Sequence, residues 1–446
     1  MAKLFSCFFL ILSISCSIVG CGPTKQAEKI EAVSEVTFPH LSSEEFQKKL
    51  SVRFHEHEYI NGVCTCGRFT AIDEDDQCII LTDTILDELG YTGNNIELPS
   101  RLVYQGTEYE VKGIGTCAFM QDKSLISLTL PERATYIGDH AFDGCENLYR
   151  VVLPDSITYI GEAAFQCCYS LNDITIPSNV RYIGDFAYNH CPNAQNTMIQ
   201  LPDSLQSIGN NPDTPSHAFY DCGTDNFTDF FVADTNEFYK SEDGVLYTKD
   251  GKTLVAIPVG RKFENGVYEM PNSVTGIGEL AFSRNRNITS VIISDNLVID
   301  PEMDQEKKAS YVNEGTDLAV GIYGYSSVSE YLTYDTNDRY VSNEGILYSK
   351  NMESIIAIPS QYSGVINIPD GVKTWEKDAL WTEIDYFKDI AFNKISSIII
   401  PASLESIDPE QIDTVNLLAK YYGTTFSVDA DNTSYYVGED GLLYHF

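Results

Sequence analysis

The chain has 446 residues, of which 43% are apolar, and its 65 acidic and 29 basic side chains give a net charge of −36. A chain of this length folds either as several compact domains or as one extended repeat array. The negative charge repels phosphate groups, which argues against general nucleic-acid binding and against docking onto anionic lipid headgroups. Neutral glycans, proteins and cations remain as candidate partners.

The first 20 residues have the pattern of an export signal. Lys3 precedes an apolar stretch that suits a secretory core but is shorter than the roughly 20 apolar residues of a membrane-spanning helix. The next residues, Ile-Val-Gly-Cys ending at Cys21, resemble the bacterial lipoprotein processing box, which implies cleavage before Cys21 and a lipid on its sulfur. The alternative is ordinary secretion with Cys21 unmodified. The polar, aperiodic residues 21–40 suit a tether.

Four potential zinc ligands follow the tether. His55, His57, Cys64 and Cys66 supply two imidazoles and two thiols, the ligand types that zinc prefers in a tetrahedral site. The spacing weakens this interpretation, because Cys-x-Cys forms a tighter chelate than the usual Cys-x-x-Cys. A disulfide from Cys64 or Cys66 to Cys78, which export permits, is one alternative, and thiols with neither role are another.

From residue 111 the chain repeats every 23 residues. An aromatic residue preceded by alanine recurs at Phe119, Phe142, Phe165 and Tyr188. Isoleucine-glycine pairs and apolar triples ending in proline keep the same spacing. One such unit cannot bury its own apolar face, whereas stacked coils bury a continuous core. The repeat therefore predicts an α/β-type or mostly β solenoid of coils of about 23 residues.

Each coil predicts one short strand and one bend. Leu128 and Leu130 alternate as expected of a strand with its apolar side chains inward, and the proline after it ends the strand. The glycine after each repeated isoleucine, for example Gly138, suits a tight bend. His140 and His190 lie near variable loop positions, and we interpret them as solvated side chains.

Three cysteines share the repeat spacing. Cys145, Cys168 and Cys191 should lie one above another, about 5 Å apart if the coils stack at strand spacing. We interpret them as a column of buried thiols, because free cysteine behaves as a compact apolar residue. Disulfides remain the alternative, since export permits them.

A column of tyrosines precedes the repeated isoleucines. It consists of Tyr136, Tyr159 and Tyr182, and then Ser207. Because the isoleucines face inward, we expect these residues to face outward and form an exposed ladder. Tyrosine is enriched at interfaces, so the three tyrosines are our candidate ligand-binding residues. The alternative is that the stacked rings only shield one another and stabilise the coils.

A second, longer repeat overlies the first. Its pattern is Asn-x-x-Tyr followed by an acidic residue, glycine, two apolar residues and tyrosine, and it starts at Asn236, at Asn337 and, one residue longer, at Asn432. The acidic residue and glycine predict hairpin turns, which places β-hairpin modules between the coils. These turns are expected at Asp243-Gly244, Glu344-Gly345 and Asp440-Gly441.

The patterns Ile-Gly-x-x-Ala-Phe, Gly-Cys-x-x-Leu and Leu-x-x-Leu-x-Leu-Pro over residues 111–209 resemble the BspA-like class of leucine-rich repeats, in which such hairpins also occur. The match is good over 229–300 and degenerate over 330–446. Residues 91–116 are similar to the hairpin that precedes the first full coil in that class. The resemblance implies a bacterial lipoprotein, anchored at the outer membrane or cell surface or in the periplasmic leaflet, that binds other macromolecules, including host matrix proteins.

These patterns divide the chain into seven segments. They are a signal peptide (1–20), a tether (21–40), an N-terminal segment with the cap of the solenoid (41–110), regular leucine-rich repeats (111–228), a hairpin module with a repeat (229–300), a degenerate hairpin and repeat module (301–425) and a truncated terminal hairpin (426–446).

The sequence contains none of the common catalytic signatures, such as Gly-x-Ser-x-Gly, His-Glu-x-x-His or a phosphate-binding glycine loop. We therefore expect a non-catalytic monomer that binds a protein or glycan through its solenoid, for example in adhesion to host matrix proteins. No cofactor is expected apart from the zinc alternative. The alternative function is a structural envelope scaffold that associates with itself as a spacer.

Overall fold

The computed structural model describes residues 78–209, 218–278, 281–282, 284–299, 327–377, 379–380 and 394–446, with the backbone of three short strands, Tyr59–Ile60, Val63–Cys64 and Ile72–Asp73. Cys21, His55, His57 and Cys66, together with the side chain of Cys64, lie outside the described residues. The lipid anchor, the zinc site and the disulfide to Cys78 therefore remain predictions.

Two parallel sheets run along the first array, because each coil contributes a short strand to one or both of them. Leu128 and Leu130, which are 1% and 4% exposed, face inward from the second sheet, which confirms the predicted strand. The first sheet contains Thr107–Ile114, Tyr136–Ile137, Tyr159–Ile160, Tyr182–Ile183 and Ser207–Ile208. The second contains Asn95–Glu97, Ser127–Thr129 and Arg150–Val152.

An N-terminal cap closes the described end of the first sheet. Cys78–Leu81 pairs in parallel with Thr107–Ile114 and antiparallel with Ile72–Asp73. Arg101–Tyr104 pairs antiparallel with Thr107–Ile114, which confirms the hairpin expected in this segment. The sequence interpretation missed the helix Asp83–Leu89, which begins after Thr82, whose hydroxyl accepts from a backbone N–H, and ends at the left-handed Gly90.

The third side of each coil carries the aromatic column. The rings of Phe119, Phe142, Phe165 and Tyr188 stack with centroids 5.4, 5.1 and 5.1 Å apart. The backbone joins the same coils, since Phe142 donates to the Ala164 carbonyl at 2.8 Å. The spacing confirms that coils of 23 residues stack in register.

The repeated glycines have a different role from the bend that we predicted. Gly138, Gly161 and Gly184 are not among the residues with positive φ. Instead, a Cβ atom on Gly161 would lie 2.5 Å from the Asp139 nitrogen, and one on Gly184 would lie 2.3 Å from the Glu162 nitrogen. The glycines are therefore required because the backbones of neighbouring coils approach each other closely.

The tight bends fall at residues that are mostly not glycine. Each regular coil has two left-handed residues, two positions before and two positions after the stacked aromatic residue. The Ile-Gly pattern therefore misplaced the turn. These residues are Cys117, Gln121, His140, Gly144, Ala163, Cys167, Phe186 and His190.

The later coils also contribute strands to parallel sheets, and in one of these coils a helix takes the place of a turn. Pro409–Tyr422 is this helix, and Gly423, in the left-handed conformation, follows it. No helix among the described residues is both long and apolar enough to cross a membrane. The remaining coil strands are Met198–Leu201, Asp229–Val232, Val267–Glu269, Gly276–Ile277, Ser290–Ile292, Glu330–Leu332, Ser363–Asn367, Thr374–Trp375, Lys394–Ile400, Ser406–Ile407 and Thr425–Val428, and a short 3-10 helix spans Glu264–Gly266.

Two of the three predicted hairpins have the expected tight turn. In the first hairpin Tyr239–Glu242 pairs with Val245–Thr248, and in the second hairpin Tyr340–Asn343 pairs with Ile346–Ser349. Both residues of each turn have positive φ, as a two-residue hairpin turn of type I′ requires. In the third hairpin Tyr435–Val437 pairs with Leu443–His445, so the turn is longer than the predicted Asp-Gly pair.

Each of the first two hairpins lies between two successive hydrophobic cores and packs against both. A third strand extends each of them, Thr253–Ala256 in the first and Ser354–Ala357 in the second. Leu246 packs into the core before the first hairpin, whereas its neighbours Val245 and Tyr247 pack into the core after it. Such a strand is buried on both faces. The hairpins are therefore built into the solenoid and do not hang from it.

A buried asparagine anchors each hairpin to the preceding coil. The side-chain amide of Asn236 donates to the carbonyls of Pro202 and Leu205 at 3.0 Å each, while its oxygen accepts from the backbone of Phe238 and Tyr239 at 2.8 and 2.7 Å. The side-chain amides of Asn337 and Asn432 likewise donate to carbonyls of the preceding coil, and their oxygens accept from two backbone N–H groups each. The side chain thus satisfies main-chain groups on both sides of the junction.

Candidate binding surfaces

The tyrosine ladder is formed, but it is less exposed than we predicted. The rings of Tyr136 and Tyr159 stack at 5.1 Å and those of Tyr159 and Tyr182 at 4.8 Å. Tyr136 and Tyr159 are half-buried, Tyr182 is 5% exposed and Ser207 is 1% exposed. The predicted exposure is therefore wrong for Tyr182 and Ser207. Stacking covers part of each ring face, because each coil places the next tyrosine within stacking distance.

This geometry supports a stabilising role for the ladder. The hydroxyl of Tyr159 donates to the Asp139 carboxylate at 3.2 Å, which further ties one coil to the preceding one. A ligand could still reach the outer edges of Tyr136 and Tyr159. Ligand binding by the three tyrosines therefore stays a prediction.

A more accessible surface lies at the corner between the Gly-Cys turns and the second sheet. Here Tyr149 is 52% exposed and Ile126 is 39% exposed. They lie on successive coils, and the backbone of Tyr149 donates to the Ile126 carbonyl at 2.8 Å. We call this surface the corner groove; it is open, has a volume of about 500 Å³, and is lined by Asn94, Lys123, Ser124, Ile126, Asn147, Tyr149 and Ser170.

The polar side of the corner groove is held in place by an ion pair and by hydrogen bonds. The ammonium group of Lys123 lies 2.9 Å from the Glu146 carboxylate, so the two charges compensate each other. The Ser124 hydroxyl donates to Asp122 at 2.6 Å, and the amide of Asn147 donates to the Lys123 carbonyl at 2.8 Å. An exposed aromatic ring beside amide and hydroxyl groups can contact the apolar face of a ligand and hydrogen-bond its rim.

The sequence analysis missed the corner groove because its residues vary from coil to coil. Ile126 and Tyr149 directly follow the inward Leu125 and Leu148. The repeat pattern indicates that such positions face outward, but it does not show which outward residues lie in a concave part of the surface. The signal that the sequence does contain for this surface is an aromatic residue, Tyr149, directly after the repeated Leu148.

The cysteine column is buried as predicted. Cys145, Cys168, Cys191 and also Cys222 are free thiols with 0% exposure. The thiol of Cys145 donates to the Phe119 carbonyl at 2.9 Å, and Cys168 and Cys191 repeat this contact. Burial raises the pKa of Cys145 to about 12 and raises the pKa of Cys168 well above the usual range. These thiols are protonated at neutral pH and suit packing rather than nucleophilic chemistry.

The two histidines are not the solvated side chains that we predicted. His140 contacts the Asp143 carboxylate at 3.0 Å and His190 contacts Asp221, which also pairs with Arg284 at 2.6 Å. Both imidazoles are less than one-fifth exposed, at 19% and 17%. They lie at left-handed bends, which turn their side chains back toward neighbouring acidic groups.

The electrostatics of His140 follow from this environment. Burial lowers its pKa, but the hydrogen bond and charge of Asp143, with the charges of Glu162 and Asp139, outweigh burial and leave the pKa raised. Within the described part of the chain, no three His, Cys, Asp or Glu side chains converge in an arrangement that could hold a metal ion.

Comparison with known proteins supports the resemblance seen in the sequence. A family model described as BspA type leucine rich repeat region matches residues 112–231 and 265–303 in six copies. No curated protein sequence matches the chain.

Several crystal structures of bacterial leucine-rich repeat proteins are similar. A protein from Eubacterium ventriosum is 15% identical, with 79% of this chain and 87% of that chain covered and a TM-score of 0.48. A leucine rich cell surface protein from Faecalibacterium prausnitzii is 19% identical, with 80% and 97% covered and a TM-score of 0.40. A leucine-rich repeat protein from T. pallidum is 25% identical, with 50% and 80% covered and a TM-score of 0.31.

Proposed function

Because residues 112–231 and 265–303 of this chain are BspA type leucine-rich repeats, we propose that it is a non-catalytic binding protein whose solenoid presents its corner groove to a protein or glycan. The observation that carries the proposal is the exposed Tyr149 and Ile126 pair beside a fixed polar wall. Tyrosine offers a large contact area at a low entropic cost, which is why it dominates many interfaces. Solenoids commonly bind through such extended surfaces.

The chain's charge narrows the class of ligand. A net charge of −36 disfavours sulfated or phosphorylated ligands, because long-range repulsion slows their approach. The lining of the groove is uncharged apart from Lys123, which Glu146 compensates. Neutral glycans and proteins with neutral or basic surfaces, host matrix proteins among them, fit this surface.

The test is a binding screen with matched variants. The chain is presented to purified extracellular-matrix proteins and to neutral glycans, and each hit is measured again with Tyr149→Ala. We expect at least a tenfold loss of affinity, as for truncation of a central aromatic contact. Tyr421→Ala is the control, because Tyr421 is also 52% exposed but lies on the helix Pro409–Tyr422. Equal effects of both variants would reject the groove as the binding surface.

The tyrosine ladder provides a second candidate surface on the same solenoid. Tyr136→Ala combined with Tyr159→Ala would lower affinity without lowering the melting temperature if the ladder binds the ligand. A lower melting temperature with unchanged affinity would instead identify the ladder as structural, which its stacking favours.

A lipid at Cys21 would hold the solenoid at the outer membrane or cell surface or in the periplasmic leaflet. This part of the proposal rests on the processing box before Cys21 and on the polar residues after it. Cys21→Ser should release the protein into the soluble fraction, whereas Cys16→Ser, inside the signal segment, should not. Unchanged membrane partition of Cys21→Ser would reject the anchor.

A further inference from the structure

The corner groove is part of two columns of outward side chains that run along the stacked coils. The members of the first column follow one another on successive coils, and backbone hydrogen bonds of 2.6 to 3.0 Å join each of them to the next. We call it the corner column, and it consists of Asn94, Ile126, Tyr149, Asn172 and Gln195. A second column lies two positions earlier on the same coils. We call it the Ser-Asn column, and it consists of Ser124, Asn147, Ser170 and Asn193.

Neither column contains a charged side chain, although the chain as a whole carries a net charge of −36. The charged residues that flank the two columns have both signs, and they are Asp122, Lys123 and Glu146 on one side and Arg150 and Asp173 on the other. Amide and hydroxyl groups around one exposed tyrosine therefore form a neutral polar strip. Such a strip suits an uncharged ligand that both donates and accepts hydrogen bonds.

The Ser-Asn column alternates with a period of two coils. The side-chain nitrogen of Asn147 donates to the Lys123 carbonyl at 2.8 Å, and that of Asn193 donates to the Tyr169 carbonyl at 2.6 Å. Because a carbonyl oxygen only accepts, the nitrogen of each side chain must face the preceding coil, which leaves its oxygen as an acceptor. The same kind of bond thus holds one amide oxygen on every second coil, about 10 Å apart at strand spacing.

This spacing discriminates between two kinds of extended ligand. Stacked rings on successive coils lie 4.8 to 5.4 Å apart. An extended peptide advances about 3.3 Å per residue, so its groups fall out of step with the coils. A β-1,4-linked sugar chain advances by close to one coil spacing per sugar and turns over at each sugar, so the same edge returns at every second sugar. The alternation of serine and asparagine has this second period.

Tyr149 supplies the flat apolar contact that a sugar ring requires. It lies in the middle of the corner column, with Ile126 on the preceding coil and Asn172 on the next. The face of a sugar ring carries C–H groups that pack on an aromatic ring, whereas its hydroxyls lie at the rim. The exposed tyrosine and the amides on neighbouring coils therefore complement both parts of a sugar.

We propose that the corner column and the Ser-Asn column bind a neutral β-1,4-linked glycan, which runs along the solenoid with one sugar on each coil. One sugar packs on Tyr149, and every second sugar donates a hydroxyl to the side-chain oxygen of Asn147 or Asn193. The inference rests on the proposed function, since it names the ligand class of the corner groove. It also extends the site beyond the groove to Asn172 and Gln195. Modest contacts on successive coils add along one ligand, so affinity grows with ligand length.

The test is isothermal titration calorimetry of the full chain carrying Cys21→Ser, so that no lipid is attached. The probes are β-1,4-linked oligosaccharides of glucose and of N-acetylglucosamine, from two to six sugars long. We expect the affinity for at least one series to rise at least tenfold between two and five sugars and to change less than twofold with the sixth, because the corner column spans five coils. Oligosaccharides of α-1,4-linked glucose should bind at least tenfold more weakly, because their chain coils and cannot follow a straight column.

Asn147→Ala and Asn179→Ala are matched variants. Both asparagines are exposed, and the side chain of Asn179 donates to the Asp155 carbonyl at 2.8 Å, the same length as the bond from Asn147 to Lys123. Asn179 lies outside both columns. Asn147→Ala should lower the affinity for the five-sugar ligand at least fivefold and Asn179→Ala less than twofold. Equal effects of the two variants, or an affinity that does not depend on ligand length, would overturn the inference.

The same variants separate this inference from the proposed function. A matrix protein that binds and loses at least tenfold affinity with Tyr149→Ala, in a chain that binds no oligosaccharide, would reject the glycan and leave the proposed function standing. If neither a protein nor an oligosaccharide binds in a manner that depends on Tyr149, both are rejected.

Discussion

Replacing Asn236 by alanine should detach the first hairpin from the preceding coil. The side chain makes five hydrogen bonds to main-chain groups, three donated and two accepted; four of them are 2.7 to 3.0 Å long, the fifth is 3.3 Å long, and the residue is fully buried. A typical hydrogen bond contributes about 1 kcal/mol net, so the loss of the four shorter bonds is about 4 kcal/mol, and main-chain groups left buried without partners would increase it. Asn236→Ala should therefore destabilise this junction more than most surface changes destabilise a protein.

The assay is amide hydrogen exchange, because a repeat protein can open locally without unfolding as a whole. We expect faster exchange at Tyr239–Glu242 and Val245–Thr248 in Asn236→Ala than in the parent chain. Asn193→Ala is the control, since Asn193 also bridges two coils, through a bond to the Tyr169 carbonyl at 2.6 Å, but is exposed at the surface. Asn193→Ala should cost less than about 1 kcal/mol. Equal protection losses in the two variants would refute the anchoring role.

Four further changes test separate features. Gly161→Ala should lower the free energy of unfolding by about 3 kcal/mol, because its Cβ would lie 2.5 Å from the preceding coil's backbone; an unaltered denaturation midpoint would contradict the close approach. Gln121→Gly should raise the free energy of unfolding by about 1 kcal/mol, because the residue has a φ of 61° and is exposed; a loss of stability would count against this. Cys168 should resist maleimide at pH 8 until the chain is denatured, because burial raises its pKa; peptide mapping that finds it labelled in the folded chain would exclude a buried thiol. The pair of His140 and Asp143 should stabilise the fold fully below the unfolded pKa of His140, about 6.5, and this contribution should be lost as pH rises through the raised folded pKa. His140→Gln should remove this part of the pH dependence of stability. Identical pH profiles of the variant and the parent chain would show that the pair contributes nothing.

The sequence predicted what the repeat period determines. Equal steps between Phe119, Phe142, Phe165 and Tyr188 fixed the stacking register, and the same period placed Cys145 and Cys168 in one buried column. The Asp-Gly and Glu-Gly pairs predicted the first two hairpin turns, because left-handed residues in both turn positions favour these types. These are local or strictly periodic features.

Features that depend on neighbouring coils were predicted poorly. The period places Tyr182 in one column with Tyr159, but its 5% exposure depends on its surroundings in the fold, which the period does not give. The requirement for Gly161 arises from the distance to Asp139, which no local pattern reports. The repeat pattern does not predict the contact of His140 with Asp143, because His140 lies at a left-handed bend although it is not glycine.

The helix at the C-terminal coil was missed although the sequence contains signals for it. Asp408 precedes it, Pro409 is its first residue, Gly423 follows it, and Val415 and Leu418 lie on one buried side. The expectation of another regular coil concealed these signals. The sequence pattern also does not show that a hairpin separates two cores, because a strand buried on both faces has no alternation of apolar and polar residues.

Cross-linking of neighbouring coils tests the stacking register most directly. The structure pairs Ser127 with Arg150 across parallel strands, so cysteines at these positions should have Cα atoms about 5 Å apart, within reach of a disulfide. Cysteines replacing Ser127 and Val152 should be about 8 Å apart, beyond that reach. We predict rapid oxidation of Ser127→Cys with Arg150→Cys, mapped by peptide mass, and none for Ser127→Cys with Val152→Cys. Preferential cross-linking of the second pair would contradict the register on which the solenoid is built.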